Sequence, residues 1–577
     1  MLEKKLNLFV SAVIGLSALT SALLSQSESE GFSYAQILGP LSNPSLLFIF
    51  SITLGLSSVG VLWLVWSELT SYRFIWLIGT LLVLSIALKF FLPVFEASYF
   101  QALFADGVSK VNELQWVVFT HHTTGGFVET LNWHAGSWSF WGIFTIVIFG
   151  QPSTPLDGIF VAIVKWSPVL FSVLYLPVVY FLMRSYGLRN RFSLVGIFAF
   201  YGLSIWPFWF ASQMLGNVLY WLFLAMLPRA IKGGWPNLIA ILLVLTSIVT
   251  VHQGVATFTL ASLISIPLAA VFFGLERKTI SRSARILLFF IAIWSAEIVF
   301  SIPSFAYSLE AGLQSLYSDI FHGASSISYY SYRGYLPYEN LVHFIEAYYL
   351  AVVIIPSLIL AYYSFRYRGI QTSISTGVLV ITTLVVGLAT IGPAGGGAGG
   401  INRIPAMLVP LSAFGLAYQA GRFKGVRTLR PGTPKSSKLP KYVYCLIIAG
   451  LAVSGTIVYF SGSNINWVPY SQLLGENGNV GPFFYCHAQV ASPCTVYAIG
   501  DLTQMSPPYS KALASAAYPF NRTSSAGFYT FYQTGLNSYL DLYGGNATSV
   551  NSQIQAVFSR SDILYETPTT VFLYILN

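Results

Sequence analysis

The sequence predicts a mainly α, polytopic membrane helix bundle of about thirteen transmembrane helices, followed by a C-terminal external domain of mixed α/β type. Three observations predict it. The 577 residues are 55% hydrophobic and only 8% charged, where an ordinary soluble domain carries about a quarter charged residues. Apolar runs of about 20 residues, enough to cross a hydrocarbon core of roughly 30 Å, recur along residues 1–460. Basic residues gather in every second connection between those runs. Together these exclude a soluble globular protein, a disordered chain and a nucleic-acid partner. The net charge of +9 belongs to membrane sidedness. Three cysteines are too few for a disulfide-rich scaffold or a cysteine-based metal cluster.

The expected spans lie near 6–25, 44–66, 74–94, 158–183, 192–210, 214–228, 236–252, 255–273, 285–305, 344–364, 372–392, 403–420 and 442–460. The first leads through Ser21-Ala22-Leu23-Leu24-Ser25 into a short loop and a second span, so it reads as a helix and not a cleaved leader. The sixth is short because Pro228 closes it. With the N-terminus inside, 21 of the 29 basic residues fall on the inner side, accompanied there by only Glu3, Glu68 and Glu276 of the 20 acids. A missed or extra span would reverse this pattern downstream, so the charges support the odd count.

Three units follow: an N-terminal helix pair (1–73), a transmembrane core (74–460) with external loops 95–157 and 306–343, and an external domain (461–577). In that domain Val496-Tyr497-Ala498-Ile499 and 570–576 read as strands, being rich in β-branched and aromatic residues. Cys486 and Cys494 are close enough in sequence to form a disulfide in an external compartment. Asn521 and Asn546 open glycosylation sequons.

Candidate chemistry gathers at the outer helix ends. Glu96 follows the third span directly, flanked by aromatics, and Asp106 lies a little under three helical turns further on; the alternative is that both are solvated loop acids. Lys89 and Lys165 lie near the ends of apolar runs, and Arg403 follows the Gly-rich stretch 392–400. A cation at this depth suits an anionic headgroup or phosphate; snorkelling to the interface is the competing reading. His121, His122 and His134 fall within fourteen residues, but their spacing matches no metal motif and reads as hydrogen-bonding loop histidines. His252 ends a span beside Gln253 and Gly254, as a polar terminus or a headgroup contact. Glu297 reads as a structural buried acid. No phosphate-binding loop, nucleophile elbow or HExxH helix occurs.

This layout resembles the GT-C superfamily of membrane glycosyltransferases over roughly 74–420. The resemblance rests on a span followed by a long external loop with an acid near its start (74–94, then Glu96). It continues with a segment that begins as an amphipathic helix at Trp138-Ser139-Phe140-Trp141-Gly142-Ile143-Phe144, and with the basic turn 184–189. A late Asn402-Arg403-Ile404-Pro405 helix start and a C-terminal external domain complete it. This chain has Glu96 and the displaced Asp106 where the family usually has Asp, lacks a Trp-Trp-Asp motif, and adds a preceding helix pair.

The resemblance implies transfer of a sugar from a polyprenyl-phosphate donor to an external glycan, lipid or protein acceptor. Glu96 (or Asp106) would be the general base. Arg403, with Lys89 or Lys165, would hold the phosphate, and His252, His121, His122 and His134 would line the substrate. It implies membrane lipid and lipid-linked sugar as partners. No cofactor or metal is fixed by the residues; a divalent cation and partner proteins stay open. Two other readings stay open: a non-catalytic subunit of an envelope or energy-transducing complex, and a transporter or lipid flippase.

Overall fold

The computed structural model describes residues 113–114, 117–123, 134–152, 159–204, 212–303, 305–306, 310, 336–391 and 398–423, and five strands between 495 and 575. The helical part comprises α1 (Ala135–Phe149), α2 (Ile159–Ser185), α3 (Asn190–Leu203), α4 (Ser212–Lys232), α5 (Trp235–Val251), α6 (Gln253–Phe272), α7 (Arg277–Phe300), α8 (Leu336–Tyr367), α9 (Ile370–Ile391) and α10 (Ala398–Phe423). Among the described residues, Gln213–Lys232, Gln253–Phe272 and Arg277–Phe300 are long and apolar enough to cross a membrane. The N-terminal pair 1–73, Lys89, Glu96, Asp106, the Tyr-rich run 328–335, Cys486, Cys494, Asn521 and Asn546 lie outside the described residues.

Side-chain contacts fix the relative directions of the helices. The Tyr175 hydroxyl of α2 donates to the Met214 carbonyl of α4 (3.3 Å), and the Arg229 guanidinium sits 4.9 Å above the Phe181 ring. Position therefore advances together along α2 and α4, and the two run parallel. Gly216 of α4 lies against His252 and Val255, and Tyr220 bonds Ser262 at 2.7 Å, so α6 is parallel to α4 too. Arg282 near the start of α7 donates to the carbonyls of Ile231 and Gly233 at 2.8 and 2.9 Å, which makes α7 antiparallel to both. Arg184, Arg229, Lys232 and Arg282 thus collect at one end of the bundle, and His134 and His252 lie toward the other.

Helix ends at the basic side have visible causes. After α2, Gly187 (φ 86°) takes the left-handed conformation. There the Gly187 N–H donates to the Arg184 carbonyl and the Leu188 N–H to the Met183 carbonyl. Gly274 (φ 62°) repeats this double bond after α6. Glycine meets no Cβ penalty in that conformation.

Several sequence expectations are corrected. Helix α4 continues through Pro228 to Lys232, because one missing N–H does not outweigh the burial of Phe223, Leu224, Leu227, Ala230 and Ile231 around it. The expected span 192–210 ends as a helix at Leu203: Ser204 turns extended (ψ 111°) and its hydroxyl bonds back to the Phe200 carbonyl. The span expected from 285 begins at Arg277, and that expected from 344 begins at Leu336, which puts His343 inside α8. An apolar count cannot see helical turns made of charged or aromatic residues. The 138–144 segment is helical but not amphipathic. Ser137, Trp138, Trp141, Gly142 and Thr145 form the buried face of α1, while Phe140, Ile143, Val147, Ile148 and Phe149 are exposed. A helix apolar on both faces suits lipid on its outer one. Glu297 is half-buried rather than buried, and accepts from the Ser301 hydroxyl at 3.0 Å.

The closest packing joins α6 and α9. A Cβ built on Gly377 would stand 2.6 Å from the Ala269 Cβ and 3.1 Å from the Ser265 carbonyl oxygen. Small residues allow such approach where helices associate by packing alone. Gly377→Leu is expected to destabilise the protein by about 1–3 kcal/mol or more through overpacking; a thermal-unfolding midpoint equal to that of the wild type would contradict this seam.

The strands are β1 (Thr495–Ala498), β2 (Lys511–Ala514), β3 (Gly527–Tyr532), β4 (Ser561–Glu566) and β5 (Thr570–Ile575), in the sheet order β2-β1-β3-β5-β4. β1 pairs parallel with β2 and β3, while β5 pairs antiparallel with β3 and β4. Parallel neighbours need crossover connections of about a dozen residues, and the stretches 499–510 and 515–526 have that length.

Candidate functional site

The end of the bundle opposite the basic turns carries a polar floor built around a one-residue helix break. His252 (φ −161°, ψ 114°) is at once the C-cap of α5 and the N-cap of α6. Its backbone N–H donates to the Ile248 carbonyl, and its Nδ1 accepts from the Val255 N–H at 3.1 Å. Since Nδ1 accepts, the neutral ring carries its proton on Nε2. The His134 ring stacks on it, with centroids 4.3 Å apart and planes 15° apart. One of the two comes from the segment before α1 and the other from the bundle, so this stack ties the 95–157 region to the α5–α6 break.

Among the described residues, the polar groups next to the pair are amides and hydroxyls. The buried Gln253 donates to the Val249 carbonyl (2.7 Å) and accepts from Trp294 Nε1 (3.0 Å). Gly136, next to α1's first residue, lies against Thr250. Asn217, next to Gly216 on α4, is only 7% exposed, and among the described residues its Oδ1 has no hydrogen-bond partner, nor has the Oγ of the fully buried Ser137. The floor is recessed. Helix α7 runs six residues past Trp294 to Phe300, about 9 Å at 1.5 Å per residue.

The bond from Trp221 Nε1 to the Met407 carbonyl (2.9 Å) sets the level of α10. Arg403 occupies the α10 position one turn outward of Met407, as Asn217 does relative to Trp221. The two positions therefore share a level. Lys165 lies in the second turn of α2, far from that level along the helix.

His121 and His122 are exposed and are not part of the His134–His252 stack. His121 ends the short 117–120 helix in a left-handed conformation (φ 58°), with its N–H bonded to the Val117 carbonyl at 2.9 Å. His122 N–H bonds the Thr120 hydroxyl at 3.2 Å. Among the described residues, no three His, Cys, Asp or Glu side chains gather where they would hold a metal.

Sequence reasoning missed Asn217, Gln253, Trp294, Ser137 and Glu113. Glu113 is 3% exposed. It lies one turn before Val117, which packs on Gly142 of α1, and Phe119 of the same segment meets Phe160 of α2 at 6.0 Å. A carboxylate in such a place needs a task or compensation. In the sequence it stands among the polar residues Lys110, Asn112 and Gln115, which give no sign of burial.

The His252→Ala change removes both the cap and the stack. Loss of a cap costs about 0.5–2 kcal/mol, so the unfolding midpoint should fall measurably, and His252→Asn, a capping residue, should restore most of it. Equal destabilisation by both variants would show that the cap is unimportant. No protein-family model matches the chain, and no curated protein matches it.

Proposed function

We propose that the chain is an integral membrane glycosyltransferase of GT-C layout. It moves a sugar from a polyprenyl-phosphate donor to an external glycan, lipid or protein acceptor. The observation that carries this reading is a recessed floor at the end opposite the basic turns, whose described polar side chains are amide, hydroxyl and imidazole groups (His134, Ser137, Asn217, His252). Uncharged amide, hydroxyl and imidazole groups match the hydroxyls of a sugar ring better than they match an ion. The buried Glu113 carboxylate on the neighbouring 113–120 segment adds an acid on the same loop.

In this proposal a carboxylate of the 95–157 loop removes the proton from an acceptor hydroxyl. Glu96 and Asp106 are the acids proposed for it from sequence, and Glu113 is the described one. The acceptor oxygen attacks the anomeric carbon, the bond from that carbon to the phosphate oxygen breaks, and the electron pair leaves on the phosphate. Arg403, with Lys89 as a further candidate, neutralises that charge, while Lys165 lies too far along α2 from that level to join them. The N-terminus is proposed to be cytoplasmic and the mixed α/β domain 461–577 extracytoplasmic, since basic residues favour the cytoplasmic side.

The test is transfer of labelled sugar from polyprenyl-phosphohexoses to an endogenous acceptor extract by the full chain in proteoliposomes. Absence of transfer with every donor, alongside accumulation of a solute, would replace the enzyme by a transporter. For sidedness, a cysteine replacing Ser436 should resist impermeant thiol reagents added from outside intact cells; labelling there would invert the topology.

A further inference from the structure

Two polar atoms on the floor stand out because nothing among the described residues satisfies them. Asn217 Oδ1 and Ser137 Oγ belong to side chains more than nine-tenths buried, on two helices that pack together, and neither has a hydrogen-bond partner. A chain of contacts links their two helices: Gly216, next to Asn217, lies against His252, and the His134 ring, three residues before Ser137, stacks on His252. A buried amide oxygen left unbonded destabilises a fold, and an apolar side chain of similar shape would remove that penalty. The folded protein therefore carries at Asn217 a group that works against its own stability. Such groups are few in native structures and call for a specific explanation.

The chemistry of the missing partner is restricted. Asn217 Oδ1 accepts, so it requires a donor, and a phosphate diester offers none. A cationic donor is disfavoured, because Trp221 one turn inward, with the Tyr175 ring 4.8 Å from it, makes that face aromatic and uncharged. A neutral hydroxyl meets both conditions, and a serine hydroxyl nearby can donate to or accept from a second one.

We propose that Asn217 and Ser137 form a hydroxyl-reading subsite on the outer floor, which takes a neutral polyhydroxylated ring of hexose type. This rests on the glycosyltransferase reading only in naming the lipid that carries the ring. Asn217 then sets which sugar is accepted, while phosphate recognition lies elsewhere.

The experiment uses the full chain in nanodiscs. Binding of polyprenyl-phosphohexoses (glucose, mannose and galactose) and of bare polyprenyl phosphate is measured for the wild type, Asn217→Leu and Ser137→Ala, along with the ligand-free unfolding midpoint. Asn217→Leu should unfold at a higher temperature than the wild type. It should bind the preferred phosphohexose about tenfold more weakly, the loss of roughly one hydrogen bond, and bind polyprenyl phosphate unchanged. Ser137→Ala should shift affinity in the same direction by a smaller factor. Unchanged phosphohexose affinity in Asn217→Leu overturns the subsite, as does an equal loss for both lipids or a lower ligand-free midpoint. A wild type that binds a phosphohexose more tightly than polyprenyl phosphate but transfers no sugar leaves the subsite standing and removes the enzyme. A wild type with no preference for any sugar-bearing lipid removes the subsite, even if transfer is observed.

Discussion

Trp221→Ala is expected to cost about 3–5 kcal/mol of stability, the range for emptying a buried tryptophan site. The ring is 1% exposed and meets Tyr175 of α2 at 4.8 Å and Phe200 of α3 at 5.2 Å, both edge-on. Its Nε1 donates to the Met407 carbonyl across 186 residues of sequence. One side chain thus joins α2, α3, α4 and α10. Trp221→Phe keeps most of the apolar contact and loses the hydrogen bond, so it should cost about 1–2 kcal/mol. Unfolding in mild detergent, followed by the loss of tertiary fluorescence, would check both. A penalty below about 1 kcal/mol for the alanine variant would mean that α10 is held to α4 by something else. Because Asn217 and Arg403 lie one turn outward of this bond, Trp221→Ala should also loosen the floor and weaken substrate binding.

If the chain is the proposed glycosyltransferase and Glu113 its base, Glu113→Gln is expected to lower sugar transfer by about 10²–10⁴-fold, the usual range for a lost general base, in a variant that still folds. Glu113→Asp, which keeps the charge on a shorter arm, should recover part of the rate. If Glu113→Gln stays fully active while Glu96→Gln is inactive and folded, the base is the acid at the start of the loop and Glu113 is structural.

The coarse architecture was legible where the signal was a long apolar run. The described helices α2 to α10 each overlap an expected apolar run, and among them α4, α6 and α7 are long and apolar enough to cross a membrane. The helix limits were less legible. Arg277, Lys278 and Arg282 lie in the first turns of α7 because long cationic side chains reach water from a helix, so polarity did not mark the helix start. Helix α1 was placed in the 95–157 loop as the start of an amphipathic segment, and its 15 residues carry apolar side chains on both faces instead. The site was legible as a roster and illegible as a geometry. His134 and His252 were both singled out, but their stacking depends on how the 95–157 region folds back on the bundle. Asn217 gave no signal at all. An asparagine in a span looks like any other polar residue until its surroundings show that it has no partner.

The single-residue link at His252 also bears on how the chain enters a bilayer. Helices α5 and α6 run antiparallel with one residue between them, so no polar loop exists to be threaded across before the second helix arrives. If both helices cross the bilayer as proposed, the pair partitions from the translocation machinery together, as a preformed hairpin. In that state the histidine ring caps α6 before the rest of the bundle is available, and this keeps the tip of the hairpin from exposing an unbonded amide at Val255 to hydrocarbon. Lengthening the link would place a hydrated loop at the tip and separate two insertion events that the sequence now joins.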